Sequence, residues 1–249
     1  MQKIIGLIGY VNKTEYIINL AKVISITGKS VLVIDGTVEE RMRYSIPTFN
    51  NSEKEYLVHF DGVDYALGFK SIEAIKEYIC KKTSNADNYD IILIDIDNVK
   101  SYEFFRQENL TKSFFFIEYL NISLAKDEEL LKVITSYEAV DRKPVLTRVI
   151  FKQYVTRASE KYFENKILGF PIEWNEVEYE LPYLDQDRIA DIEAEQSGYI
   201  DLNRHTKQYI TLVTDMASDI LGEVQASEIR KTIKMYTRGR DISKGGLWS

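Results

Sequence analysis

Lys13, Asp35 and Asp95 are the side chains whose type and placement most suggest chemistry. Each stands at or shortly past the end of an apolar run: Lys3–Ile8, Ser30–Asp35 and Tyr89–Ile96. Open α/β sheets bind ligands in the crevice beyond the carboxyl ends of their strands, where the strand order reverses. One crevice can therefore collect this cation and both carboxylates, a convergence that unrelated surface residues rarely give. A plainer alternative stands beside it. Carboxylates at strand ends can be simply solvated, and Lys13-Thr14 can be no more than a helix start. Other chemistries lack their residues. Cys80 is the only cysteine, and His59 and His205 have no partners at ligand spacing. Neither a Cys-built zinc site nor a His-rich metal site is expected.

The elements that would position these residues are legible as alternating short apolar runs and helix-period segments, the pattern of a parallel sheet covered by helices. Lys3–Ile8 predicts a buried strand. Thr14–Ile26 carries apolar residues at Ile17, Leu20, Ala21 and Ile24, a helical spacing closed by Gly28. Ser30–Asp35 is a second buried strand, and residues 36–54 read as an irregular loop that is mobile or faces a partner. Tyr56–Phe60 and Val63–Leu67 flank an Asp61-Gly62 turn, and Ser71 caps a helix to Lys82. Tyr89–Ile96, Ser113–Tyr119, Val145–Phe151 and Val177–Leu181 are further strands. Helices are expected over Lys126–Tyr137, Ala158–Lys166, Arg188–Gln196 and His205–Leu221. The predicted fold class is α/β: a doubly wound, mostly parallel sheet with helices on both faces. Residues 1–222 form its one domain and residues 223–249 a basic tail.

Gly9-Tyr10-Val11-Asn12-Lys13-Thr14, then Asn19-Leu20-Ala21, then Val31-Leu32-Val33-Ile34-Asp35 resemble, in order, a Gly-Gly-Val-Gly-Lys-Thr loop, an Asn-Leu-Ala helix and an Ile-Asp strand. These are the opening segments of the MinD/ParA family of P-loop ATPases, of the deviant Walker A (SIMIBI) class. Tyr89–Asp95 is similar to the family's Walker B strand. Leu168-Gly169-Phe170-Pro171, Glu180-Leu181-Pro182-Tyr183-Leu184-Asp185 and Gly198 are similar to its later segments, so the resemblance spans most of residues 1–222. It implies ATP or ADP with Mg²⁺ as cofactor. Gly9, Tyr10, Val11, Asn12, Lys13 and Thr14 would bind phosphates, and Thr14, Asp35 and Asp95 would hold Mg²⁺ directly or through water. Asp35 would be the catalytic, water-facing carboxylate.

Departures from the pattern carry physical consequences. Glycines let a loop approach phosphates and aim its amides at them, and the helix N-terminus adds favourable dipole. Here Tyr10 and Asn12 replace two loop glycines, and Ile8 stands where the family has a second, signature lysine. Asn12 tolerates left-handed backbone; Tyr10 does so less readily. Lys152 stands where the family often has a base-reading Asn, and Asp97 adds a second carboxylate near the implied phosphates. Weak ATP binding and very slow or absent hydrolysis are expected. Atypical members of the TadZ/CpaE type, which serve pilus and secretion systems, fit the eroded loop best. The resemblance thus implies a positioning protein for a membrane-associated assembly, acting as a homodimer with a protein partner. Two alternatives remain: a scaffold that has lost nucleotide, and an active ATPase of the partition type.

Composition narrows the setting. The 249 residues are 45% hydrophobic and 29% charged, as in globular proteins. No apolar run nears the ~20 residues of a spanning helix, and the first residues lack a signal-peptide pattern; a cytoplasmic protein is expected, possible at the inner membrane face. Residues 223–249 hold six basic and three acidic side chains, a net +3, so the chain's −7 leaves −10 on residues 1–222. A body this acidic makes nucleic acid an unlikely partner. In the tail, Ile229, Ile233 and Tyr236 form one apolar stripe with Arg230, Lys231 and Lys234 around it. Gly239 is expected to end the helix, and Trp248 follows. Such a helix suits an anionic membrane surface, or it packs on a protein partner or on the body itself.

Overall fold

The computed structural model describes residues 2–47, 56–82, 89–137, 143–152, 157–182 and 184–245. In chain order the elements are β1 (Lys3–Ile8), α1 (Thr14–Ser25), β2 (Val31–Asp35), α2 (Met42–Ser45), β3 (Leu57–Phe60), β4 (Val63–Leu67), α3 (Ile72–Lys82) and β5 (Ile91–Ile96). They continue with α4 (Val99–Phe105), β6 (Lys112–Glu118), α5 (Asn121–Tyr137), β7 (Val145–Phe151), α6 (Arg157–Lys166), β8 (Glu173–Leu181), α7 (Asp185–Ser197), α8 (Lys207–Leu221) and α9 (Ala226–Gly245). The short α2 lies inside the segment expected to be irregular; residues 48–54 of that segment lie outside the described residues. The short α4 was not expected: its start is set by Asn98, which accepts from the Ser101 amide in a capping box.

The sheet runs β3-β4-β2-β5-β1-β6-β7-β8, and β3, antiparallel to β4, is its one reversed strand. Strands β2 and β5 are buried at every position, as central parallel strands must be when helices cover both faces. From β1 the chain moves one way to β2 and β4, and from β5 it crosses β1 to reach β6, β7 and β8. The order therefore reverses at β1 and β5. Asp35 and Asp95 are partners in register across β2 and β5. One core packs α1 and α8 on the sheet through Ile17, Leu20, Ile24, Val213 and Met216. The other packs α3 to α6 through Ile75, Phe105, Leu130 and Phe163.

The tail departs from expectation. Gly239 does not stop α9, which runs on to Gly245; one glycine inside a helix costs only about 1 kcal/mol. Of the three coverings open to the apolar stripe, a membrane surface, a protein partner or the body itself, the body is the one that takes Ile229 and Ile233. Ile229 is 0% and Ile233 4% exposed, packed with α8 and the sheet. The Tyr236 hydroxyl accepts from Lys22 Nζ at 2.8 Å, and that ammonium also sits 4.5 Å from the Tyr236 ring centroid. Arg230 reaches Asp215 at 3.0 Å, while Lys231 and Lys234 face solvent. Trp248 lies outside the described residues. The driving force is the hydrophobic effect, which the body satisfies by burying both isoleucines in the core cluster that also contains α8 residues.

Because the stripe is core, Ile229→Ala should lower unfolding stability by about 2–5 kcal/mol, and a chain ending at Gly222 should be destabilised further. Urea denaturation followed by circular dichroism checks both. Unchanged midpoints would mean that α9 is only peripheral.

Candidate functional site

The loop from β1 to α1 sits at the reversal of strand order. Its first residue, Gly9, has φ +136°, and a Cβ there would lie 2.2 Å from the carbonyl oxygen of Phe116 in β6. Only glycine lets the loop cross that strand so closely. The Gly9 amide donates to Ile96 O at 2.9 Å, closing the loop over the end of β5.

Lys13, 2% exposed, stands at the N-cap of α1. Its ammonium lies 2.7 Å from Asp95 Oδ1 and donates to Gly9 O at 2.8 Å and to Ile96 O at 3.4 Å. A buried ammonium needs such partners, because unpaired charge out of water is very costly. Thr14 Oγ1 is buried with no hydrogen-bond partner among the described residues, whereas the Thr14 amide donates to Asn12 Oδ1 at 3.2 Å. The amides of Val11, Asn12 and Lys13 make no hydrogen bond among the described residues.

Asp35 is fully engaged. Its Oδ1 accepts from the Thr37 amide at 3.0 Å and the Thr37 hydroxyl at 2.5 Å, and its Oδ2 accepts from the Met42 amide at 2.8 Å. Burial, and then the charge of Asp95, push its pKa up to about 6 despite those hydrogen bonds. Asp97 is also raised, chiefly by burial, although the Lys13 charge opposes this. Gly9, Val11, Asn12, Lys13, Thr14, Asp35 and Asp95 are thus brought to one end of the sheet. Tyr10 is half-buried and its amide is already committed. Lys152 pairs with Glu180 at 2.8 Å. Tyr183 lies outside the described residues.

A residue missed by sequence reasoning is Asp127. This α5 carboxylate is 0% exposed, and its Oδ1 accepts from the Tyr10 amide at 2.8 Å. Its Oδ2 is buried without a hydrogen-bond partner among the described residues. Burial pushes its pKa up to about 7, against the lowering effect of the Tyr10 hydrogen bond and the Lys13 charge. Within the run Asp127-Glu128-Glu129 nothing local distinguishes it from solvated charge.

Beside the loop opens a cavity of about 330 Å³. Its lining includes Val11, Asn12 and Lys13 from the loop and the apolar residues Phe151, Leu181 and Pro182. That combination suits an anionic group at one end and a flat apolar ring at the other. The lining is also acidic, with Glu118 and Asp191 among it, and Arg188 is tied to Glu15 at 2.8 Å. Among the described residues no group of three or more His, Cys, Asp or Glu side chains is arranged to hold a metal alone. A Mg²⁺ at Thr14 would therefore depend on ligand oxygens and water, its usual habit. The orphaned Thr14 hydroxyl fits that role.

Comparison with known proteins follows this geometry. No protein-family model matches the chain, and no curated relative matches it. Solved structures do. A ParA family ATPase from Chlorobium tepidum superposes with a TM-score of 0.60 at 16% identity, covering 87% of this chain and 97% of that one. MinD in the MinC:MinD cell division complex of Aquifex aeolicus gives 0.59 at 14%, covering 90% and 97%. Cobyrinic acid a,c-diamide synthase from Mycobacterium smegmatis, solved with an ATP analogue and magnesium, gives 0.57 at 11%, covering 89% and 94%. At such identities the likeness establishes the fold: an eight-stranded, mostly parallel sheet wrapped by helices, as in the MinD/ParA group of P-loop ATPases. Because the third of these is named as a synthase, the fold alone does not specify the task. Among the described residues no helix is long and apolar enough to cross a membrane.

Asp127 makes the site pH-sensitive in a defined direction. With a folded-state pKa of about 7 against about 4 in the unfolded chain, the native state holds a proton that the unfolded state has lost between those values. Stability therefore falls as pH rises through that window, by on the order of 1–4 kcal/mol. Asp127→Asn keeps the acceptor for the Tyr10 amide but cannot ionise, so it should flatten the decline. Urea midpoints near pH 5 and pH 8 for both proteins test this, and parallel slopes would count against a buried, proton-bearing Asp127.

Proposed function

We propose that this chain is a nucleotide-binding protein of the MinD/ParA type that binds ATP or ADP with Mg²⁺ weakly and turns ATP over very slowly or not at all. The observation that carries the reading is the cavity beside the loop, lined both by Val11, Asn12 and Lys13, whose amides make no hydrogen bond among the described residues, and by the apolar side chains of Phe151, Leu181 and Pro182. Phosphate oxygens would be held by these amides, by the dipole end of α1 and by the Lys13 ammonium. Mg²⁺, when bound, would neutralise phosphate charge beside the Thr14 hydroxyl, with Asp35 and Asp95 reaching it through water.

Weakness follows from competition. Lys13 already satisfies Asp95, Gly9 O and Ile96 O, and Tyr10 gives its amide to Asp127. At Lys13 Nζ and at the Tyr10 amide a ligand must replace existing contacts. Slow turnover follows from Ile8: a cation at the phosphates acts mainly in the transition state, where arginine fingers contribute ~10³–10⁵-fold, and an isoleucine supplies none. Asp35 would orient water, with three of its roughly four acceptor sites already taken by Thr37 and Met42.

The finer role is a nucleotide-gated organiser of a membrane-associated machine of pilus or secretion type, working as a homodimer with a protein partner. Its support is the resemblance in the loop. The burial of Ile229 and Ile233 favours recruitment through protein contacts rather than through direct insertion of the tail into lipid.

Calorimetric titration with Mg-ATP, followed by a phosphate-release assay, tests the reading. Weak saturable binding with release far slower than that of active ATPases is expected. Thr14→Val, close in shape, should remove the Mg²⁺ dependence of binding, and Lys13→Ala should weaken binding strongly in protein shown to be folded. No binding by the folded wild-type chain would leave a nucleotide-free scaffold; brisk release would make it a working ATPase.

A further inference from the structure

Arg41 lies between β2 and α2 and is absent from every motif considered so far. Its backbone is set by the same carboxylate that closes β2. The Arg41 amide donates to Thr37 Oγ1 at 3.3 Å, Thr37 is bonded to Asp35, and the next amide, that of Met42, donates to Asp35 Oδ2. The guanidinium is thereby delivered toward the end of β5. There Nη2 lies 3.5 Å from Asp97 Oδ2, and Nε donates to Glu39 Oε2 at 3.1 Å.

Asp97 is 4% exposed and anchored from the other side. Its Oδ1 accepts from Asn98 Nδ2 at 2.5 Å and from Ser101 Oγ at 3.4 Å, and its amide donates to Ser101 Oγ at 3.1 Å. One oxygen is therefore fixed to the start of α4, and the other faces Arg41. The charges of Lys13 and Asp95 also act on Asp97, so Lys13, Asp95, Asp97 and Arg41 form a row of two cations outside two carboxylates. The outer arginine contact is the loose one. At 3.5 Å it is longer than a charge-assisted hydrogen bond, and the Arg41 side chain is 21% exposed.

We infer that Arg41 is the residue that recognises the terminal phosphate of a bound triphosphate, with Asp97 as the internal carboxylate that holds it at the site until that phosphate arrives. The inference rests on the nucleotide reading above. A guanidinium fork matches phosphate oxygens bidentately, so the loose Asp97 contact is readily exchanged. A diphosphate lacks the group that Arg41 would hold. Arg41 is thus a specificity-determining residue for triphosphate over diphosphate, in a chain whose Ile8 supplies no cation of its own.

The test is calorimetric titration of the full chain with Mg-ATP and Mg-ADP, for wild type and for Arg41→Ala, Arg41→Lys and Asp97→Asn, each first shown to unfold cooperatively. Arg41→Ala should weaken Mg-ATP about tenfold or more, the loss typical of a charged hydrogen bond, and leave Mg-ADP unchanged. Arg41→Lys should recover part of the ATP preference, as a point charge without the fork. Asp97→Asn should act in the opposite direction, tightening Mg-ATP more than Mg-ADP, because it removes both the competing acceptor and a nearby negative charge. An unchanged ATP-to-ADP ratio in Arg41→Ala, in a protein that binds ATP, overturns the inference alone. Weaker Mg-ATP binding by Asp97→Asn overturns the tether and makes Asp97 a metal-side residue. Failure of the wild-type chain to bind either nucleotide overturns this inference and the nucleotide reading together.

Discussion

The ion pair between Lys13 and Asp95, 2.7 Å long and almost wholly out of water, is the constraint around which the rest of this end of the molecule is arranged. Removing one partner of such a pair leaves an uncompensated buried charge, a loss of roughly 3–5 kcal/mol. The same ammonium also holds Gly9 O and Ile96 O, so it fixes the loop to the end of β5 as well as neutralising a carboxylate. The pair adds little net stability over an apolar replacement. What it specifies is the conformation of the loop. It also sets the terms of ligand binding, because the only way for Lys13 to serve a phosphate is to give up part of this arrangement.

Charge is scarce in the interior and concentrated here. Asp35, Asp95, Asp97 and Asp127 all reach one end of the sheet at 0–4% exposure. They coexist because each has a different compensation. Asp95 has Lys13. Asp97 has Asn98, Ser101 and the more distant Arg41. Asp35 has the Thr37 and Met42 donors, and Asp127 has the Tyr10 amide together with a raised pKa. A site so acidic discriminates against anions unless they bring a metal ion or displace an internal carboxylate contact. Under the proposed nucleotide reading, the departures in the loop would be only part of what weakens phosphate binding. The carboxylates facing the loop are the other part.

The sheet was legible because parallel strands buried on both faces read as continuous apolar runs: Lys3–Ile8, Val31–Asp35 and Ile91–Ile96 could hardly be anything else. The convergence of Lys13, Asp35 and Asp95 followed from the strand ends. Contacts made at long sequence separation were not legible. Asp127 reaches Tyr10 across 117 positions, and its local run of acids matches any solvated helix face. Arg41 lay in a segment whose polarity reads as loop. The α9 stripe was seen, but periodicity reports only that a face is apolar. Which surface covers it depends on the exposed flank of α8, which no local pattern discloses.

Two buried lysines on α1 tie these features together. Lys13 begins the helix and is bound to the end of β5. Lys22, also 2% exposed, stands more than two turns on, with its ammonium 3.0 Å from Asp61 Oδ1, 2.7 Å from Asp61 O and 2.8 Å from the Tyr236 hydroxyl. Asp61 in turn accepts from the Ile200 amide at 2.9 Å. The helix is therefore pinned at one end to the sheet and near the other to the β3–β4 turn and to α9. Sliding it would break both buried charge clusters at once, each a matter of several kcal/mol. The Lys13 side chain and the loop peptides can rotate without breaking the Lys22 cluster, whereas a shift of α1 along its axis cannot. Through Tyr236 and Lys22 the tail is joined to the same helix whose first turn follows the β1–α1 loop, and so belongs to the frame that holds that loop.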